Sequence, residues 1–406
     1  MSTGIVSLLF AGSVNAGEPV GVMEVLPASP GEHWFWVSDS MSHRATLFDG
    51  DSGKLKGAIT AGSPGVGFII APHRSADGSE IYIAESYFSR GVRGERTDVV
   101  TVYSGRTLMP EVEIQIPPKR AEYFPGVAAS ALSDDGRYLA VFNAAPAQSI
   151  TIVDVKERRF VEEVDTAGCA CVYSAGPQRF FTICADGSLI QLTVGTDEDK
   201  AKLERIEPFF DPMLDPMTEK GARDGDVWYF PSFDGELHGI DVSGEKIQAV
   251  ASWPLLDAAD REEGWRIGGN QITAIHEASD RLFVLMHRGP RDTHKAPGEE
   301  IWAYDIPEKK RVQRIQPTSS LLSTARAYGG FTGKDAGATG RAIEWVLGKV
   351  LPITGVNGIY VSQDDQPRLV AVSQIPPAVV VYDALTGIET LDIPEPGMGL
   401  ALLLAP

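Results

Sequence analysis

The chain is short of cations, of cysteine and of long apolar runs, and each shortage removes a class of function. Lys and Arg number 36 against 55 Asp and Glu, a formal net charge of −19. A nucleic-acid backbone would be repelled by that balance; an extracytoplasmic setting or a basic partner is compatible with it. No stretch reaches the roughly 18 to 20 apolar residues that span a bilayer, so no membrane-spanning helix is expected and the reading is of a soluble protein. The seven histidines, at 33, 43, 73, 238, 276, 287 and 294, include no HxH or HxxxH pair, and no metal site is expected from them. The GxSxG, P-loop and GxGxxG fingerprints are missing. Gly62-Ser63-Pro64-Gly65-Val66-Gly67 is glycine-rich, but Pro64 interrupts it and no Lys follows, which makes it a turn. Carboxylates are plentiful without a pair of definable geometry, so no catalytic residue is assigned to this chain.

At the N-terminus, Gly4 to Ala11 is apolar and Val14-Asn15-Ala16 places small residues as for signal cleavage, yet no Lys or Arg precedes them. Residues 1–20 therefore read as a truncated or wrongly started signal peptide, or else as a disordered N-terminus. Residues 21–406 read as one domain.

That domain is built on a repeated phrase. An apolar run closes on an aromatic or aliphatic residue plus Asp, a polar turn follows, and a second run begins. It occurs at Ala45–Asp49, Ile150–Asp154, Leu237–Asp241, Ile301–Asp305 and Val379–Asp383, with looser copies at Val99–Ser104 and Leu189–Thr193. Copies recur at roughly fifty residues, the period of propeller blades. Further β-rich runs lie between them: His33 to Val37, Glu80 to Ala84, Arg137 to Phe142, Arg179 to Cys184, Asp226 to Phe230, Arg281 to His287 and Arg368 to Ser373. Turn, strand, turn and phrase is the rhythm of a four-stranded antiparallel blade. The fold class is all-β, a seven-bladed β-propeller.

The rhythm breaks once. Asp305 and Asp383 lie 78 residues apart, so an insertion is placed at about 319–355. Within it Ala342, Ile343, Val346, Leu347 and Val350 recur at helical spacing, which predicts a short helix at 341–351. Its stripe is expected to pack on the propeller itself, with contact to a partner as the other reading. Phe209 to Gly225, which carries Asp211-Pro212 and Asp215-Pro216, is expected to be loop.

The three cysteines, Cys169, Cys171 and Cys184, lie close together. A Cys169–Cys171 bridge is too tight for an extended strand, whereas either residue can reach Cys184 across a hairpin turned at Ser174–Pro177. One disulfide and one spare thiol are expected, in an oxidising compartment. Between two predicted strands, Glu85 to Val100 carries three arginines in seven residues (Arg90, Arg93, Arg96) beside Tyr87 and Phe88. Several of these charges are expected to form a hydrogen-bonded network with Glu85, Glu95 and Asp98.

This arginine-rich stretch closely resembles the heavy (large) subunit of the quinoprotein amine dehydrogenases, the methylamine and aromatic amine dehydrogenase family. Glu263-Gly264-Trp265-Arg266-Ile267-Gly268-Gly269-Asn270-Gln271 resembles its GWRxGG element, and His294-Lys295 occupies an expected loop. Val361 to Pro367 resembles another element. Cys169 and Cys184, with Phe180-Phe181 and Asp186–Leu189, match the family's disulfide hairpin. The resemblance runs from about residue 33 to 390.

The resemblance implies a non-catalytic propeller subunit of a periplasmic α2β2 enzyme that converts primary amine, water and acceptor into aldehyde, ammonia and reduced acceptor. The implied cofactor, tryptophan tryptophylquinone, belongs to the catalytic small subunit; none is expected on this chain. A blue copper protein or cytochrome c is the implied electron acceptor. Gly67-Phe68 stands where the family places a substrate-channel aromatic, so Phe68 would select amines by size; the alternative is an ordinary core phenylalanine. Arg90, Arg93 and Arg96 are expected to contact the partner subunit or to order the loop. Three departures qualify the resemblance: little room for a long N-terminal arm, Cys171 at a non-cysteine position, and the 319–355 insertion. The other function considered is a stand-alone propeller scaffold without enzymatic activity; a single-chain propeller hydrolase such as a lactonase would need a metal cluster at the central channel.

Overall fold

The computed structural model describes residues 25–62, 70–122, 126–195, 199–329, 337–352, 354–394, 396–397 and 400–404. Seven antiparallel sheets follow one another along the chain, each running from an innermost to an outermost strand. They form the expected seven-bladed propeller. Blade 1 is composite: its innermost strand is Leu400–Leu404, paired with Trp34–Asp39, so the first and last described strands share one sheet.

Every copy of the repeated phrase is the third strand of its blade, and the β-rich runs between are the second strands. Both sit between neighbouring sheets, which explains their near-continuous apolar character: Tyr138–Asn143 and Ser149–Asp154 are buried along their full length. Outermost strands meet solvent and are mostly exposed, as in Lys202–Ile206. The phrase's terminal Asp has a local task. In blade 1 Asp49 Oδ1 accepts hydrogen bonds from the amides of Asp51 (3.0 Å) and Ser52 (3.2 Å). Asp154 holds Lys156 and Glu157 likewise, and Asp383 holds Leu385 and Thr386. Such side-chain bonds fix the turn into the outer strand. Where the acid is replaced by Ser104, its Oγ takes the amide of Thr107 at 3.2 Å. One residue before this position the register slips, at Phe48, Tyr103, Val153, Tyr304 and Tyr382, and such bulges twist the outer strand away. The turn that follows needs a left-handed residue: Gly53, Leu108, Arg158, Lys309 and Gly387 all have positive φ there.

Blades pack face to face. One apolar cluster joins Leu237 and Trp253 of blade 5 through blade 6 to Leu369 and Tyr382 of blade 7. Another joins Phe35, Val37 and Phe48 of blade 1 to Val370, Val379 and Val381 of blade 7 across the closing seam.

The insertion differs from expectation. It holds two helices after a short first helix, α1 (Ala258–Glu262), that precedes blade 6: α2 (Ser320–Gly329), which carried no clear period in the sequence, and α3 (Ala338–Val350). It is α2 that docks on the outer two strands of blade 7. Thr318 donates its amide to Tyr382 Oη (2.9 Å), and Arg326 pairs with Asp392 (2.8 Å), Glu389 and Glu344. No residue of α3 is buried. The expected packing of its stripe on the propeller is thereby corrected: α2 occupies that position, and Ile343, Val346 and Val350 are exposed together with Trp345. Phe209 to Gly225 is loop, as expected, except that Ala222–Asp224 forms the innermost strand of blade 5.

Candidate functional site

Antiparallel order within a blade sends two sets of loops to one face of the ring: those from an outermost strand to the next blade, and those between second and third strands. Most of the family-like elements belong to those loops or to strand ends beside them; Val361 to Pro367, between the first and second strands of blade 7, lies on the other face. The arginine-rich stretch joins the second and third strands of blade 2; Gly289 to Glu299, with His294-Lys295, does so in blade 6. The segment 63–69 that contains Phe68 joins blades 1 and 2 but lies outside the described residues. Cys169 opens blade 4 and Cys184 ends its second strand, so their disulfide stands at the same face.

The arginines divide. Arg96 grips Asp98 with two prongs, Nε to Oδ1 and Nη2 to Oδ2, both at 2.7 Å, and its third nitrogen reaches Glu122 at 2.9 Å. It also donates to the Arg120 carbonyl (2.7 Å). Asp98 is fully buried and additionally accepts the Arg120 amide at 3.0 Å; the buried Arg120 donates Nε–H to Ser86 Oγ at 3.1 Å. Burial lowers the Arg120 pKa to about 10 against the pull of Asp98. Arg96 is thus the base of the loop. Arg90 and Arg93 stand exposed at its tip, closed by an Arg90 amide to Arg93 carbonyl bond of 2.9 Å, and no ion pair engages either among the described residues.

The expected network therefore forms through Arg96 and Asp98 but does not include Glu85. That carboxylate is completely buried and is met by hydroxyls: Tyr103 Oη at 2.9 Å, Tyr87 Oη at 3.2 Å, Thr101 Oγ1, and the Gly62 amide at 3.0 Å. Burial raises its pKa, opposed by those donors. Glu95 is at the exposed tip, its amide bound to Ser89 Oγ at 3.0 Å. A Glu closing the run Ile81 to Ala84, on the strand that pairs with the one carrying Thr101 and Tyr103, was the available signal for a buried polar knot. Nothing local marked Arg120.

The GWRxGG element makes an interrupted inner strand, Trp265–Ile267 and Thr273–His276. Trp265 packs against Trp302 at a tilt of 52° with centroids 5.1 Å apart, and Arg288 and Arg314 lie over its ring. The two glycines are steric necessities. A Cβ on Gly268 would stand 2.4 Å from His287 Nδ1, and Gly269 has φ +128° with Leu285 and the Asn357 carbonyl against it. Their tight path lets Asn270 donate its amide to the Asn357 carbonyl at 2.6 Å, linking blades 6 and 7. Asp234 gathers Arg291 (3.1 and 3.2 Å) and Arg266 (3.4 Å). His294 stacks on Phe233 at 3.8 Å between centroids; burial, then the nearby Lys220 and Lys295, lower its pKa. Lys220 Nζ donates to the Gly269 carbonyl at 2.8 Å, and burial lowers its pKa also.

These contacts build and brace loops; none sets an acid and a base against a common reacting atom. Among the described residues, no three His, Cys, Asp or Glu side chains converge as a metal-holding group. The axis of the ring holds a cavity of about 440 Å³ lined by His73, Ser130, Tyr173, Gln271, Thr273 and Tyr360, among others. His73 Nε2 and Ser130 Oγ are 2.8 Å apart, and burial lowers the histidine pKa to about 4.

The disulfide is Cys169–Cys184, between directly paired residues of the first two strands of blade 4. Cys171 is the spare thiol, buried, with its pKa pushed up by that burial. The same face displays apolar side chains that sequence reading did not single out. Met213 (88% exposed) and Leu214 (69%) occupy a turn fixed by Asp211, whose Oδ1 accepts both their amides. Val92 (72%) sits at the arginine loop and Ile375 (83%) at the corresponding loop of blade 7. The opposite face also exposes apolar side chains, Ile388 (64%), Leu55 (60%) and Met109 (57%), each at the turn into an outermost strand.

Comparison with known proteins joins these features. The methylamine dehydrogenase heavy chain of Paracoccus versutus is 28% identical over 356 residues, covering 87% of this chain and 74% of that one. That of Methylophilus methylotrophus is 25% identical over 389 residues, covering 93% and 84%. Among solved structures, the periplasmic gluconolactonase PpgL of Pseudomonas aeruginosa aligns with a TM-score of 0.55 at 14% identity, covering 91% and 98%. Dihydro-heme d1 dehydrogenase NirN aligns with a TM-score of 0.50 at 17% identity, covering 93% and 77%. At those identities the structural likenesses speak for the propeller alone. The profile described as "Methylamine dehydrogenase heavy chain (MADH)" matches residues 36–323, from within Trp34–Asp39 of blade 1 into α2 and thus over the arginine loop, the disulfide and the GWRxGG strand, and on that match the chain belongs to the methylamine dehydrogenase heavy chain family.

Proposed function

We propose that this protein is the large, non-catalytic subunit of a periplasmic tryptophylquinone-dependent amine dehydrogenase. It docks the catalytic small subunit and shapes the approach of the amine. The observation that carries the reading is the gathering of the arginine loop, the disulfide, the GWRxGG strand and His294-Lys295 on one loop face, with Val361 to Pro367 on the other. Met213 and Leu214, exposed side by side in one turn, are of the kind that partners cover. Arg90 and Arg93, at the tip of a loop whose base is rigid, suit an acidic or carbonyl-rich patch on that partner.

The quinone would reside on the partner, made from that chain's own tryptophans, and would supply the electron sink for oxidising the amine. In this reading the present chain contributes position and exclusion: its loops wall off water, and Phe68 narrows the amine's path. The complex would be an α2β2 assembly delivering electrons to a blue copper protein or cytochrome c.

Co-expression with a small, cysteine-rich partner chain, followed by a visible spectrum and phenylhydrazine titration, tests the proposal. A stoichiometric complex with a quinone adduct and amine-dependent dye reduction is expected. A stoichiometric complex with no quinone adduct would overturn the enzymatic reading in favour of a scaffold.

A further inference from the structure

We propose that His33 is a proton-held latch across the seam where the propeller closes. The seam joins blade 7 to blade 1, and the strand pairing that completes blade 1 is short, from Trp36 with Leu404 to Asp39 with Leu400, with a slip at Asp39. His33 immediately precedes Trp34. Its Nδ1 lies 2.7 Å from Asp51 Oδ2, in the turn after the third strand of its own blade, and its Nε2 lies 3.0 Å from Asp364 Oδ1 in blade 7. The side chain is only 11% exposed.

The geometry states the protonation. A neutral imidazole has one N–H and one lone pair, so it can donate to only one carboxylate and presents its lone pair to the other. Both contacts are hydrogen bonds only when both nitrogens carry protons. Burial works against that charge, but the hydrogen bonds and charges of Asp51 and Asp364 outweigh it, and the His33 pKa is raised above 6.5.

The surroundings are fixed on each side. Asp364 accepts from Ser362 Oγ (2.5 Å) and the Gln366 amide (2.8 Å), and its pKa lies below 3.8. Its carbonyl accepts from His276 Nε2 of blade 6 at 3.0 Å. Asp51 is also 3.4 Å from Arg368, which is 3.8 Å from Asp383. The loop Val361 to Pro367 is therefore a crossroads of three blades, and His33 is its link to the first. A folded-state pKa above the unfolded one adds stability that is complete below about 6.5 and fades as pH rises through the folded value. On the acid side the latch persists until Asp364 is protonated. The seam is fastened in mild acid and loosens in base.

Hydrogen–deuterium exchange of the full chain between pH 6 and 9, corrected for intrinsic rates, reads the latch directly. Protection of Trp34–Asp39 should fall about tenfold or more through the His33 titration, while Arg281–Arg288 in blade 6 stays level. In His33→Gln the seam should be weakly protected at every pH. Should that variant not fold, Asp51→Asn, altering a half-exposed side chain, should shift the loosening to lower pH. Parallel behaviour of seam and reference strand in the wild type, or an NMR midpoint for His33 at or below 6.5, would overturn the proposal.

Discussion

Arg96 and Asp98 form a two-pronged ion pair, 2.7 Å on each arm, at the base of a loop whose outer arginines are exposed. Two kinds of arginine thus share one short segment. Removing Arg96 takes the two-pronged donor from a fully buried carboxylate and leaves it the Arg120 amide, whereas removing Arg90 and Arg93 breaks no ion pair among the described residues. Arg96→Ala should destabilise by roughly 3 to 5 kcal/mol, the usual result of breaking one side of a buried pair. Arg90→Ala with Arg93→Ala should stay within about 0.5 kcal/mol of the parent in urea unfolding while, on the proposed function, weakening capture of the small subunit. Equal effects on stability would show that the loop has no rigid base.

Lys309 is exposed and holds φ +52° in the turn where blades 1 and 7 use glycine. The left-handed conformation costs a non-glycine residue roughly 1 to 2 kcal/mol, and glycine returns part of that as unfolded-state entropy. Lys309→Gly should therefore raise stability by roughly 0.5 to 1 kcal/mol, read as a higher denaturant midpoint with an unchanged slope. Arg158 occupies the equivalent position but pairs with Glu80, so the same change there should show little or no gain.

Thiol titration separates the cysteines. Cys171 is buried beside a closed Cys169–Cys184 disulfide, so the native protein should show no reactive thiol. One should appear in denaturant alone and three in denaturant with reductant. Cys169→Ser with Cys184→Ser should lower stability by roughly 2 to 4 kcal/mol; Cys171→Ser should leave the disulfide intact.

His73 lines the axial cavity as a neutral ring with its pKa lowered to about 4. The unfolded chain, with an ordinary histidine near 6.5, binds the proton more readily through that interval. Stability should therefore fall as pH drops from about 6.5 toward 4, the opposite limb to that of His33. Urea unfolding of His73→Asn across this range should be flatter than the parent; an unchanged acid limb would exclude His73 as its source.

Middle strands were legible because burial on both faces leaves runs such as Ile150 to Val153 almost wholly apolar. The turn acids were legible because an Asp that fixes two amides is hard to replace. Innermost strands were not: His73–Arg74 and Ala222–Asp224 are two and three residues long, too brief for a period. The left-handed turn position stayed hidden because Leu108, Arg158 and Lys309 fill it where glycine would have announced it. The α3 stripe misled for a different reason. Periodicity reports that a face is apolar but not what covers it, and here α2 covers blade 7 instead. In the candidate site, Arg96 and its loop stood out by charge density, while Glu85 and Arg120 depend on neighbours from distant strands.

Trp36 pairs with Leu404, so the first sheet of the ring contains the last strand. Synthesis proceeds from the N-terminus at about 5 to 20 residues per second, which leaves blade 1 a strand short for roughly 20 to 80 seconds. During that interval the inner edge of Trp34–Asp39 is open to any passing strand. A chain captured then by a translocation or folding factor would be held as an open arc. The first blade to be made is the last to be finished.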